Sequence, residues 1–198
     1  MSPGDGPVGT GAELAPGRLL VATPQLVDPN FQHTVVLVLD ADEDGALGVV
    51  LNRPSPVPVE EVLPGWGEVL SRPDVLFQGG PVGTDSALAV ADLRHDDGSG
   101  EEPVGFRRLF ETTGIVDLDT PTEIMTPALD RLRIFAGYAG WGSGQLEAEV
   151  EEGSWYVVPA APGDLYDADP ERLWTRVLRR QPGELAWVST RPLDPNQN

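Results

Sequence analysis

Thr34-Val35-Val36-Leu37-Val38-Leu39, then Asp40-Ala41-Asp42-Glu43-Asp44-Gly45, then Ala46-Leu47-Gly48-Val49-Val50-Leu51: this stretch decides the fold. Two continuous apolar runs flank an acidic connection. Their short length and β-branched content predict two strands rather than one buried helix. A polar connection ending in Asp44-Gly45 predicts a hairpin between them. A strand with one wet face alternates apolar and polar residues. These runs do not, so the hairpin is expected to be covered on both faces and central in its sheet.

Toward the N-terminus, Leu19 to Ala22 is a strand stopped by Pro24. Asp28-Pro29-Asn30 is a turn, with Phe31 as an anchor after it. Toward the C-terminus, Pro54, Pro56 and Pro58 keep the chain extended. Val59 to Leu63 fits one helical turn, ended by Pro64-Gly65. Val75 to Gln78, Ala87 to Leu93, Phe106 to Phe110, Leu132 to Phe135 and Trp155 to Val158 are strand candidates. The acidic stretch from His95 to Pro103 is a surface loop. Thr120 as N-cap and Pro121 at the first position predict a helix to about Asp130. Gln145 to Glu152 fits two forms: Leu146, Ala148 and Val150 alternate as in a strand, while Leu146 and Val150 sit four apart as on a helix; helix is favoured, because Glu and Ala are poor strand formers. Asp169 as N-cap and Pro170 open the clearest helix, whose apolar face is Leu173, Trp174, Val177 and Leu178. Glu184 to Ser189 makes a last helical turn.

Strands outnumber helices, and the connections are too short for a run of βαβ crossovers. The expected architecture is one α+β domain over residues 17–191, with an antiparallel or mixed sheet. Residues 1–16, rich in Gly and Pro, are expected to be a mobile tail, and 192–198 a polar one.

Composition narrows the chemistry. The chain has 198 residues, enough for one domain with a sizeable core. Its 13 basic residues are all Arg, against 32 acidic ones, for a formal charge of −19. With no Cys, disulfide-linked partners, iron–sulfur clusters and thiolate zinc sites are excluded. With no Lys, a Schiff base, a complete Walker-A loop and a Ser–Lys dyad are excluded. The acidity opposes phosphate contacts, so direct nucleic-acid binding is not expected. No segment approaches a membrane span, and the first residues lack the pattern of a secretory signal, so a cytoplasmic location is expected.

Familiar motifs fall short. Asp40, Asp42, Asp44 and Gly45 match the opening of a calcium loop, but its closing Glu position holds Leu51, and the flanks read as strands. His33 and His95 lack partners at ligand spacing, so no metal or other cofactor is expected. Ser143 is not in a nucleophile elbow, and Gln145 replaces the last glycine of a dinucleotide fingerprint. The Glu147, Glu149, Glu151 and Glu152 series reads as a solvated face.

The candidate binding residues are Asn52, Arg53, Gly79, Gly80, Tyr138, Trp141 and Gln145. Asn52 and Arg53 put two strong hydrogen-bonding side chains at a strand exit. Gly79 and Gly80 allow close approach of a ligand, or of another backbone. Tyr138 and Trp141, set between glycines, serve either as a recognition platform or as core plugs.

Gly17 to Leu26, Asp28 to Phe31, Gly45 to Pro54, Phe77 to Val82 and Gly137 to Glu147, in this order, resemble the YqgE/AlgH family of bacterial proteins. The likeness continues through Trp155 and the Asp169-Pro170 helix. Ser143 departs from it, standing where the family pattern has Pro. The resemblance implies a bent, bifurcated sheet folded into a partial barrel with flanking helices. Some members are labelled transcriptional regulators, and no catalytic residue or cofactor comes with the family. Three functions compete. The first is a non-enzymatic regulatory protein that binds a protein or small molecule. The second is a small-molecule enzyme with Asp28 or Glu147 as a carboxylate base near Arg53. The third is a DNA-binding regulator, which the charge disfavours.

Overall fold

The computed structural model describes residues 13–190, apart from 96, 97 and 99. Of the tail expected at 1–16, residues 1–12 lie outside the described residues, as does the tail expected at 192–198. The strands are β1 (Arg18–Ala22), β2 (Val35–Asp42), β3 (Gly45–Val50), β4 (Pro54–Pro58), β5 (Val75–Gln78), β6 (Val82–Leu93), β7 (Phe106–Phe110), β8 (Thr113–Val116), β9 (Leu129–Gly142) and β10 (Trp155–Pro159). The helices are α1 (Val59–Val62), α2 (Thr122–Met125), α3 (Gln145–Glu151), α4 (Leu173–Arg179) and α5 (Glu184–Val188). The main path of the sheet runs β10-β1-β2-β3-β9-β6-β8-β7, and β4 and β5 branch from β9. Every pair is antiparallel except β5 with β9. The result is a curled half-barrel, one α+β domain, as expected.

The two apolar runs behave as their pattern requires. Val35, Leu37 and Leu39 enter one core with Leu19 and Val21, covered by Leu173, Trp174, Val177 and Leu178 of α4. Val36 and Val38 enter the opposite core with Leu20 and Ala22, covered by Leu146 of α3 and by Trp141 and Trp155. A continuous apolar strand is thus a strand with a helix on each side. Trp174 fixes one cover, its indole N–H donating to the Ala22 carbonyl at 2.9 Å. A third core lies between α1, α2 and the β6–β8–β9 region.

β9 is the hinge of the sheet. Its residues 139–142 pair with β3, its residues 129–138 pair with β6, and Phe135 and Ala136 also pair with β5. Where β3 and β5 part, Gly79 bridges them. Its N–H donates to Ala136 O and its carbonyl accepts from Val50 N, both at 2.9 Å. This is the bifurcation.

Several local expectations are corrected. The helix expected from Pro121 to Asp130 is one turn of α2 followed by a 3₁₀ turn at Thr126–Ala128; Leu129 and Asp130 already belong to β9. Thr120 makes no capping bond. Pro127 forbids the continuing α-helical N–H. Asp169 does not cap either; its carboxylate faces Arg172 and Arg176 at 3.6 and 3.7 Å. The glycine–aromatic run from Gly137 is strand, and β8 was not anticipated. Leu14 and Phe31 both pack against the core that holds Trp141 and Trp155.

Candidate functional site

Asn52 and Arg53 follow β3 and turn back onto the 28–33 segment. Asn52 Oδ1 accepts from Val35 N at 2.9 Å, and Nδ2 donates to His33 O at 2.8 Å. Its side chain therefore continues the β2–β3 ladder. Arg53 donates to the carbonyls of Asn30, Pro29 and Gln32 at 2.5, 3.0 and 3.2 Å. Burial lowers its pKa and the nearby Asp28 charge opposes that. A guanidinium has five N–H donors, so these three bonds leave two for a further partner.

Arg53 also lines a cleft of about 420 Å³, with Asn30, Ser55, Gln78, Gly80 and Thr84 among its walls. Val50, Val57 and Leu76 give it an apolar side. Two of the seven candidates, Arg53 and Gly80, thus share one cleft. Arg53 is the lining's one ionisable side chain among the described residues. Asp28 and Glu147, the candidate bases, are exposed and outside that lining. Asp28 Oδ1 accepts from Asn30 N at 2.8 Å, closing the turn.

The glycine pair admits backbone. A Cβ on Gly79 would lie 2.3 Å from Gly137 O, and one on Gly80 2.1 Å from Tyr138 C and O. Tyr138 is half-buried, its ring edge over Gly83 and Gly140. Trp141 is 6% exposed and packs with Phe31 and Trp155 at centroid distances of 6.0 and 6.1 Å.

Both indoles end on one carboxylate that the sequence had placed in water. Trp141 Nε1 and Trp155 Nε1 donate to Glu149 Oε2 at 3.0 and 2.9 Å. Gln145 holds the other oxygen, Nε2 to Oε1 at 3.1 Å, and its own Oε1 accepts from Gly142 N. Glu149 is the acceptor that lets two tryptophans be buried. Glu149→Ala is expected to cost about 2–4 kcal/mol, two indole donors losing a charged acceptor. Urea unfolding followed by tryptophan fluorescence measures it. A loss near zero would show that water replaces the carboxylate.

His33 adopts φ 56°, and its ring meets Trp174 edge-on at 5.3 Å. Burial pushes its pKa below the ordinary 6.5. The unfolded chain then takes up a proton that the folded chain resists. Stability from neutral His33 is full above pH 6.5 and falls as the pH drops toward the folded value. His33→Gln should flatten the decline of the urea midpoint between about pH 7.5 and 5.5. An unchanged decline assigns it to other groups.

Sequence reasoning missed Arg133. It lies within the strand expected at Leu132 to Phe135 and is 1% exposed. It also missed a second cleft, around Asp92, Arg131 and Tyr166. No spacing pattern marks either, because their partners are backbone carbonyls or distant side chains. Among the described residues, no cluster of three or more metal-ligating side chains occurs, and no helix is long and apolar enough to cross a membrane.

Comparison with known proteins places this geometry. The model of the family DUF179, described as AlgH-like, matches residues 19–186. The UPF0301 protein SCO2948 of Streptomyces coelicolor is 57% identical, covering 92% of this chain and 94% of the relative. A crystal structure of protein DIP2367 from Corynebacterium diphtheriae aligns with a TM-score of 0.83 at 34% identity, over 91% of this chain and 94% of that one. The solution structure of the AlgH protein from Pseudomonas aeruginosa aligns with a TM-score of 0.63 at 27% identity, over 96% and 98%.

Proposed function

The chain belongs to the AlgH-like family, and from that premise we propose that it is a non-enzymatic cytoplasmic binding protein with a regulatory role, its site the Arg53 cleft. One observation carries this reading. The cleft lining combines a cation that keeps free donors, neutral hydrogen-bonding side chains and an apolar wall, with no carboxylate or histidine among the described residues. That set recognises a ligand or a short protein segment. It offers no group to take or give a proton near neutral pH. Regulation then runs through the bound partner, and the −19 charge supports an indirect route over an operator contact.

Amide chemical-shift mapping with a fragment library tests the site. Hits should move the resonances of Arg53, Ser55, Gly80 and Thr84. Hits that map only elsewhere, or no hits, would remove the cleft as the site. A fluorescent DNA duplex titrated at about 20 mM salt should show no binding. Tight, salt-sensitive binding would restore the operator reading.

A further inference from the structure

Arg53, Ser55 and Val57 follow one another along β4, and Leu76 and Gln78 alternate along β5; all five line the Arg53 cleft. Gln78 N donates to Arg53 O at 2.8 Å, and Pro58 stands opposite Val75. The antiparallel register therefore puts Arg53 and Gln78 at one end of the cleft and Val57 and Leu76 at the other, with Ser55 between. The chain from Arg53 to Val57 spans at most about 13 Å. The cleft is a short groove with a cation at its head and an apolar foot.

The head lacks a counter-charge. Arg131, Arg172, Arg176 and Arg180 each form an ion pair with an aspartate. Arg53 forms none among the described residues, since its three bonds go to neutral carbonyls. The Asp28 charge is felt at Arg53, but that carboxylate accepts from Asn30 N at 2.8 Å and lies outside the lining. Arg53 Nε has no protein acceptor and is not among the buried donors, so it is open to an incoming group.

Three classes of occupant fit poorly. A peptide added as a strand needs donors along β4. Pro54, Pro56 and Pro58 have none, and the Val57 N–H is bonded to Ser55 Oγ at 3.2 Å. A cation would meet Arg53 with no carboxylate in the lining among the described residues. A polyanion would set each of its charges against the −19 of the chain. A single carboxylate remains. It makes a charge-assisted bond to Arg53, about twice as strong as a neutral one. The Gln78 amide and the Ser55 hydroxyl are further donors for its oxygens. Val57 is 36% exposed, so an apolar tail laid on it and on Leu76 gains by removing surface from water. The volume of about 420 Å³ is that of a small-molecule site.

We propose that the Arg53 cleft takes a small apolar monocarboxylic acid, its carboxylate on Arg53 and its tail against Val57 and Leu76, an inference that rests on this cleft being the binding site.

The probes are hexanoate, hexanamide, acetate and adipate, titrated into the full chain and followed by amide chemical shifts. Hexanoate should move Arg53, Ser55, Val57 and Leu76 and saturate at or below about 10 mM. Hexanamide lacks the charge, acetate the tail, and adipate adds a second charge at the apolar foot; each should bind about tenfold or more weakly. Arg53→Gln would remove three carbonyl bonds along with the cation, so Ser55→Asp is the cleaner variant. It supplies a carboxylate within the groove and leaves those bonds in place. Hexanoate affinity should fall about tenfold in Ser55→Asp while hexanamide binds as to the parent. Equal binding of hexanoate and hexanamide at these four residues would overturn the carboxylate and leave the cleft standing as a site. Hexanoate that moves none of them, or that binds Ser55→Asp like the parent, overturns it too; the cleft itself is then judged by the fragment library.

Discussion

Arg133→Ala is expected to bring the chain to the edge of unfolding. Arg133 sits in β9, fully buried. NH1 donates to Leu165 O at 2.9 Å and Asp167 O at 3.2 Å, and NH2 to Arg72 O at 2.6 Å and Asp167 O at 3.2 Å. The guanidinium also stacks on Phe77, 4.2 Å from the ring centroid. One side chain therefore pins two loops, at 72 and at 165–167, to the middle of the sheet. Truncation leaves three carbonyls facing a cavity. Lost packing and unsatisfied acceptors together are worth about 3–5 kcal/mol. A domain of this size holds about 5–15 kcal/mol in total. Burial pulls the Arg133 pKa down to about 10, so the group is still charged at neutral pH. Arg133→Lys should fall between the two, since a point ammonium cannot span carbonyls placed for a planar fork. Arg133→Met keeps volume without donors. Equal urea midpoints for Arg133→Met and the parent would show that the carbonyl bonds contribute nothing.

Gly80→Ala should be among the most damaging single methyls in the described residues. At φ +154° the position disfavours an L side chain. The added Cβ would also lie 2.1 Å from the carbonyl of Tyr138 and 2.4 Å from Ala139 N. Those atoms are backbone of β9, held by β3 and β6, and cannot step aside without breaking a ladder. We expect a loss above about 4 kcal/mol, seen as insoluble product or a collapsed thermal midpoint. Gly163→Ala is the control: φ is +94° and nothing lies within 4 Å of the new methyl. Its cost should be the conformational one alone, about 1–2 kcal/mol. Similar midpoints for the two variants would mean that the fork is looser than its distances indicate.

The fold was legible wherever one strand or helix explained its own residues. The 34–51 hairpin, Leu19 to Ala22, Val75 to Gln78 and the Leu173–Leu178 face all took the expected form. Local signals failed where tertiary pairing overrode them. Thr120-Pro121 announces a long helix, but Leu129 and Arg131 are claimed by β6 across the sheet. The strand expected at Leu132 to Phe135 runs on through the glycines around Tyr138, which are the thin part of β9 where two neighbours crowd it. Among the site candidates, Arg53 and Gly80 were drawn to one cleft by the fork. The fork is a contact between segments distant in sequence, which no single segment encodes. Glu149, Arg133 and Tyr166 escaped notice for a related reason. A charged or polar residue is read as wet until its distant partner is known, and here the partners lie on other elements.

The pairing of β1 with β10, Arg18 opposite Pro159 and Ala22 opposite Trp155, sets a schedule for the chain as it is made. The first strand leaves the ribosome early and waits for its outer neighbour until almost the whole domain has been synthesised. The β2–β3 hairpin waits too, because β9, α3 and α4, which close its edge and both its faces, come from the second half. Non-local pairing of this kind slows folding and prolongs the exposure of apolar strands. A chain interrupted before residue 155 is therefore not a smaller domain but an unfinished one, with its stickiest segments already outside.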